Sequence, residues 1–179
     1  DGDGKITASA DRVRFGNSLP EMQYGGSLWA EWKGLDFNLS FQGVGHQLAY
    51  WNWPGTPFNY QAYACPVNLI ESHWSPTATD AENAKAKYPK LTTNSANIYA
   101  KSDFYIFNGA YMRIKNITLG YTLPSEFTKK FFVNKLRVYF SANDLPAFSK
   151  YPEGFDPEWG DRAKDLIMSS YIFGLNVSF

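Results

Sequence analysis

The chain has 179 residues, its 17 Lys and Arg balance 17 Asp and Glu to a formal net charge of zero, and 18% of its residues are aromatic. That balance, with no basic block, excludes a nucleic-acid partner, and no apolar run reaches the roughly 18 residues that a membrane helix needs. A membrane crossed by strands stays open, because each strand needs only about 9–11 residues of alternating polarity.

Residues 1–23 read as an acidic turn and loop leading into a sheet. The opening DGDGKITASAD is similar to part of a calcium loop, in which oxygen ligands at alternate positions wrap a hard cation and glycine permits the sharp turn. Asp1, Asp3, the Lys5 carbonyl and Asp11 are the candidate ligands. The pattern is incomplete, since a first ligand would precede Asp1 and Asp11 falls one residue late. An acidic turn with Asp and Gly chosen for backbone geometry is the competing reading. Calcium is thus a candidate ligand, and no other cofactor is required.

Strand-like alternation begins at about residue 24. Over 24–32, Tyr24, Leu28, Ala30 and Trp32 share one face, with Ser27, Trp29 and Glu31 on the other. Lys33 and Gly34 make a tight hairpin into 35–43, where Leu35, Phe37, Leu39 and Phe41 oppose Asp36, Asn38, Ser40 and Gln42. A long loop, 44–110, follows. It holds the aromatic cluster Tyr50, Trp51, Trp53, Phe58, Tyr60 and Tyr63, which suits either a stacking platform for a ligand or a satellite core for the loop. Its lone Cys65 reads as a small buried thiol, and His46 and His73 as isolated loop or packing histidines.

Within 111–123, Ile117, Leu119, Tyr121 and Leu123 keep one phase while Met112 and Ile114 fall in the other. This predicts a bulge near Lys115, or a strand that leaves the apolar zone there. A turn of about a dozen residues leads to 136–144, where Leu136, Val138, Phe140 and Ala142 alternate with Arg137, Tyr139, Ser141 and Asn143. The loop 145–168 carries Glu153, Asp156, Glu158, Trp159 and Asp161; its carboxylates are expected to be solvated, and Trp159 is a further candidate for ligand contact. Residues 169–179 close with Tyr171, Phe173, Leu175, Val177 and Phe179 against Ile172, Gly174, Asn176 and Ser178.

Connections between the five strands thus run short, long, short, long. Compact soluble domains mostly use connections of roughly 2–6 residues, whereas transmembrane barrels pair short periplasmic turns with long extracellular loops. Trp32, Tyr121 and Phe179 stand at the short-turn ends, where an interfacial aromatic girdle would lie. Five strands cannot close a barrel, and an open edge in hydrocarbon leaves backbone groups unsatisfied at several kcal/mol each. The chain, which also has no initiator methionine, is therefore expected to be a piece of a larger all-β, antiparallel transmembrane barrel, contributing its last five or so strands.

The stretches HWSPTATDAENAKAKYPKL, SDFYIFNGAYMRIKNITLGYTLP, LRVYFSANDLPAFSKYPEGFDPE and FGLNVSF, after residues 1–45, together resemble the carboxyl-terminal barrel region of SusC/RagA-type TonB-dependent transporters of Bacteroidetes outer membranes. The resemblance covers nearly the whole chain in order. It implies a barrel of about 22 strands with an amino-terminal plug, a SusD-type surface lipoprotein as lid, and import of oligosaccharides or peptides powered through TonB. The TonB contact and plug lie outside these residues. On that reading Asp36, Asn38, Gln42, Arg137, Tyr139 and Asn176 face the lumen, and Tyr50, Trp51, Trp53, Phe58, Tyr60 and Trp159 face substrate and lid. Tyr171, Phe173, Leu175, Val177 and Phe179 resemble the last-strand signal read by the barrel-assembly machinery. No H-E-x-x-H, G-x-S-x-G or phosphate-loop pattern occurs, so no enzyme is expected. The alternative is a soluble, secreted, β-rich carbohydrate-binding module.

Overall fold

The computed structural model describes residues 2–5, 7, 9–50, 67–92, 103–159 and 166–179. Five long strands, β1 (Met22–Trp32), β2 (Leu35–Gly45), β5 (Tyr111–Thr122), β6 (Lys135–Asn143) and β8 (Ser170–Ser178), form one antiparallel meander in the order β1-β2-β5-β6-β8. Each pairs with the strands before and after it in this series, as expected where tight turns alternate with loops. The β1–β2 turn is tight because Lys33 (φ 48°) and Gly34 (φ 86°) both take positive φ, the pair of conformations a two-residue hairpin of this twist requires.

Register puts the alternating apolar set of each strand on one face, with Trp29 and Ile172 left on the other. Leu28, Leu39, Ile117, Ala142 and Tyr171 stand in one row across the sheet, and Ala30, Phe37, Leu119, Phe140 and Phe173 in the next. The phase break in β5 is a bulge: Asn116 pairs with Ser40, Ile114 pairs with Phe41, and Lys115 is left over. That one extra residue returns Ile114 and Met112 to the apolar side, so the strand does not leave the apolar zone.

No second sheet covers this face among the described residues. Leu28, Leu119, Phe173 and Leu175 are 59%, 52%, 81% and 67% exposed. A water-soluble module would have to bury such a face, so the alternative of a secreted binding module is not what this architecture serves. Outward aromatics instead pack along it, Phe140 lying 4.8 Å from Phe173 and stacking on Tyr171 at 6.3 Å. Tyr24 and Trp32, eight residues apart on β1, span about 27 Å along the strand and roughly 20 Å of height once tilted by about 40°, close to the apolar band of a membrane barrel. Among the described residues no strand pairs with the outer edges of β1 and β8, so the sheet is a sector of a larger barrel.

The loop side is more ordered than a bare connection. β2 runs on to Gly45, two residues into the span expected to be loop. Beyond it β3 (Leu48–Tyr50) pairs with β4 (Ile106–Asn108), and β7 (Phe148–Ser149) pairs with the start of β5. Two short helices, α1 (Val67–Glu71) and α2 (Asp80–Asn83), precede β4. Leu69 and Tyr88 form a small core against which Phe107 and Phe155 pack, and Phe107 meets Tyr151 edge-on at 6.3 Å. Because these residues come from both long loops, the loops consolidate each other at one end of the sheet. At the other end lies a compact turn, α3 (Ser125–Thr128) followed by a 3-10 turn over Lys129–Phe131.

Candidate functional site

The face opposite the apolar one carries Asp36, Asn38, Gln42, Arg137, Tyr139 and Asn176, and register places them together on one wall. Arg137 donates from Nε to Asp36 Oδ2 at 2.8 Å and from an Nη to Oδ1 at 2.5 Å. The pair reaches over β5 at Gly120, where a Cβ would collide with both the guanidinium and the carboxylate. The Arg137 guanidinium also lies 5.0 Å from the centre of the Tyr139 ring, and that ring covers Gly174, where a Cβ would strike it. Further up the wall, Asn116 donates to Ser141 Oγ at 2.9 Å and to Asn143 Oδ1 at 2.6 Å, while Thr118 and Ser141 share a hydroxyl bond at 2.8 Å. Asn38 stands between Trp29 and Thr118 in register. Such a ladder keeps polar side chains satisfied on a half-buried surface.

Near the long loops the wall holds a charge cluster that sequence reasoning missed. Arg113, 1% exposed, donates to both carboxylate oxygens of Asp156 and pairs through Nε with Glu158 Oε2 at 3.0 Å. Gln42 donates to Glu158 Oε1 at 2.7 Å, and Lys115 sits between Asp144 and Glu158. The expectation of a solvated acidic loop therefore fails for Asp156 and Glu158: Asp156 is 6% exposed, because a buried guanidinium demands a carboxylate. The available signal was Arg113 itself, out of phase with Met112 and Ile114 and so facing the acidic loop.

Beside this cluster opens a groove of about 610 Å³, lined by Tyr50, Tyr111, Glu158, Trp159, Gln23 and Gln47 among others. The β3–β4 pair presents Tyr50, whose phenol is pushed above its ordinary range by burial and so remains a neutral donor at neutral pH. Trp159 is half exposed, one residue past the pinned Glu158. Two of the residues expected to face a ligand thus line one groove. Trp51, Trp53, Phe58 and Tyr60, with Tyr63 and Cys65, lie outside the described residues.

Of the candidate calcium ligands, Asp1 lies outside the described residues. Asp3 accepts from the Lys5 N–H at 2.7 Å and Asp11 from the Thr7 N–H at 2.6 Å, and the Thr7 bond holds the Asp11 carboxyl below its usual range. Such side-chain-to-backbone bonds occur in acidic turns, and among the described residues no group of three or more His, Cys, Asp or Glu stands close enough to hold a metal ion. His73 donates from Nδ1 to the Ile70 carbonyl at 2.7 Å, as a packing histidine would. Tyr171, Phe173, Leu175, Val177 and Phe179 are all exposed, the first four on the apolar face of β8.

No protein-family model matches the chain. It is 30% identical over 177 residues to TonB-dependent receptor P3 of Formosa agariphila, covering 98% of this chain and 16% of that protein. It is 26% identical over 193 residues to TonB-dependent receptor P26 of the same organism, covering 99% and 19%. Among solved structures it resembles the RagAB peptide importer in its open-open state, with TM-score 0.66 and 24% identity over 98% of this chain and 19% of that one. The closed-closed state gives TM-score 0.64 and 23% identity over 100% and 20%. The chain spans less than a fifth of the length of these curated relatives, and the structural likeness speaks for the fold.

Proposed function

We propose that the chain is a stretch of β-barrel from a SusC/RagA-type TonB-dependent transporter of the outer membrane, forming the carboxyl-terminal part of an importer of oligosaccharides or peptides. In this reading the apolar face meets lipid, while Asp36, Asn38, Gln42, Arg137, Tyr139 and Asn176 line the lumen against the plug. The groove with Tyr50 and Trp159 opens toward substrate under a SusD-type lipoprotein lid. Energy from TonB enters through parts of the protein outside these residues. The alternating β8 residues and Phe179 serve as the barrel-assembly signal.

The observation that carries the reading is the segregation of one sheet into an exposed apolar face and a hydrogen-bonded polar face, with an aromatic groove at the long-loop end. Flat aromatic faces beside amide and hydroxyl donors suit sugar rings and peptide backbones alike. Relatives named as receptors and importers fit a transport role and not catalysis. Its test is uptake by the full-length transporter in cells: a labelled oligosaccharide pool and a labelled peptide pool are offered separately, with Tyr50→Ala/Trp159→Ala as the comparison. Accumulation of one pool, lowered about tenfold in the double variant at about 0.5–1.5 kcal/mol per aromatic, is the expected result. Uptake of neither pool, or uptake indifferent to the double variant, overturns the assignment.

A further inference from the structure

At the short-turn end the chain leaves the sheet through residues that neither the lumen wall nor the groove uses. Phe127, Phe131 and Phe132 are 53%, 65% and 91% exposed. The turn bearing them is not loose: Thr128 is 2% exposed, its carbonyl accepts from the Val133 N–H at 3.2 Å, and Phe127 packs on Phe131 at 5.6 Å. Phe132 is held at φ 60°, a left-handed conformation that bulky residues avoid and that persists where the surroundings or a function require it. Between Leu123 and Leu136 the chain carries three lysines against one glutamate. Lys129 and Lys130 sit among the phenylalanines, exposed, and in the neighbouring turn Lys33 lies over the Trp32 ring at 4.9 Å.

Exposed aromatics with cations between them, continuous with the lipid-facing belt through Leu123 and Leu136, match the layer where acyl chains give way to phosphates. We infer that the Ser125–Phe132 turn is a membrane-surface anchor, its phenylalanines seated among phospholipid acyl chains of the periplasmic leaflet and Lys129, Lys130 and Lys33 on the phosphate headgroups. The occupant is lipid because this end of the belt already faces the bilayer and because the turn is net positive. The inference rests on the proposed orientation, with short turns toward the periplasm.

The test uses the full-length transporter, free of other cysteines, in phosphatidylethanolamine and phosphatidylglycerol liposomes. Spin labels are placed at Phe131→Cys, Phe132→Cys, Leu119→Cys and Lys85→Cys, and their collision rates with oxygen and with a water-soluble nickel chelate are compared. Labels at 131 and 132 are expected to favour oxygen, at a depth between the lipid belt at 119 and the aqueous loop at 85. Nickel-dominated collisions there, or shielding from both reagents by plug or another protein, overturn the anchor; loss of oxygen access at 119 instead overturns the membrane reading itself. Independently, Lys129→Gln/Lys130→Gln is expected to lower phosphatidylglycerol co-purifying with the transporter, on the order of fivefold per lysine. Unchanged lipid retention overturns the headgroup contact even where the labelled variants fail to insert.

Discussion

Arg137 on β6 holds Asp36 on β2 across the full width of β5, and Gly120 is what lets them meet. The two side chains are about four-fifths buried, so removing either partner strands the other on the wall. Asp36→Asn or Gly120→Val is expected to destabilise the full-length barrel by about 1–3 kcal/mol, read as a lowered transition in heat-dependent gel mobility. Arg137→Lys keeps the charge but loses the paired donors, and should recover only part. An unchanged transition in Gly120→Val would show that the pair is dispensable.

Leu119 and Asn38 lie on neighbouring strands but on opposite faces. Arginine at position 119 would face hydrocarbon and is expected to cost about 2–4 kcal/mol near the bilayer midplane. At position 38 the same side chain would face a polar wall and should cost far less. Folding free energies from urea titration in liposomes give both values, and equal costs at the two sites would contradict the assignment of faces.

The strands were legible because their two faces differ at nearly every step, as in Leu35 to Gln42, where leucine and phenylalanine alternate with acid, amide and hydroxyl. The bulge at Lys115 was legible for the same reason, as a change of phase between Ile114 and Ile117 that one extra residue repairs. Long-range electrostatics were not. Arg113 and Asp156 are 43 residues apart in sequence, and only the register of β5 and the fold of the last loop bring them together. The groove was half legible: Tyr50 and Trp159 stood out as aromatics in loops, but their meeting depends on the β3–β4 pairing and on the pinned Glu158.

Thr79 caps α2, its hydroxyl accepting from the Glu82 N–H at 3.3 Å while the Glu82 carboxylate accepts from the Thr79 N–H at 2.8 Å. The Thr79 backbone bond, then the hydroxyl bond, hold the Glu82 carboxyl below its ordinary range. A carboxylate whose folded pKa is depressed adds stability above its unfolded value and loses it as pH falls through the folded one. Hydrogen exchange over residues 79–86, corrected for intrinsic rates, should therefore show protection falling as pH drops through that window. Glu82→Gln should lack this pH dependence, and an identical profile in the variant would remove Glu82 as its source.

Arg113 is the tether of the last loop. With the guanidinium removed, Asp156 would be left as a buried carboxylate without its cation while Glu158 keeps Lys115, a loss of about 3–5 kcal/mol where the charge stays buried. The loop can escape that loss by swinging into water, which β5 cannot do, so Arg113→Ala is expected to free the loop while sparing the barrel. Limited proteolysis of the full-length transporter should then show new cleavage after the exposed Lys150 with heat-dependent gel mobility little changed. Arg113→Met/Asp156→Leu removes the buried pair and leaves Glu158 to Lys115 and Gln42, so it should restore part of the protease resistance. A loop that stays resistant in Arg113→Ala would show that packing of Phe155 against Leu69 and Tyr88 suffices to hold it.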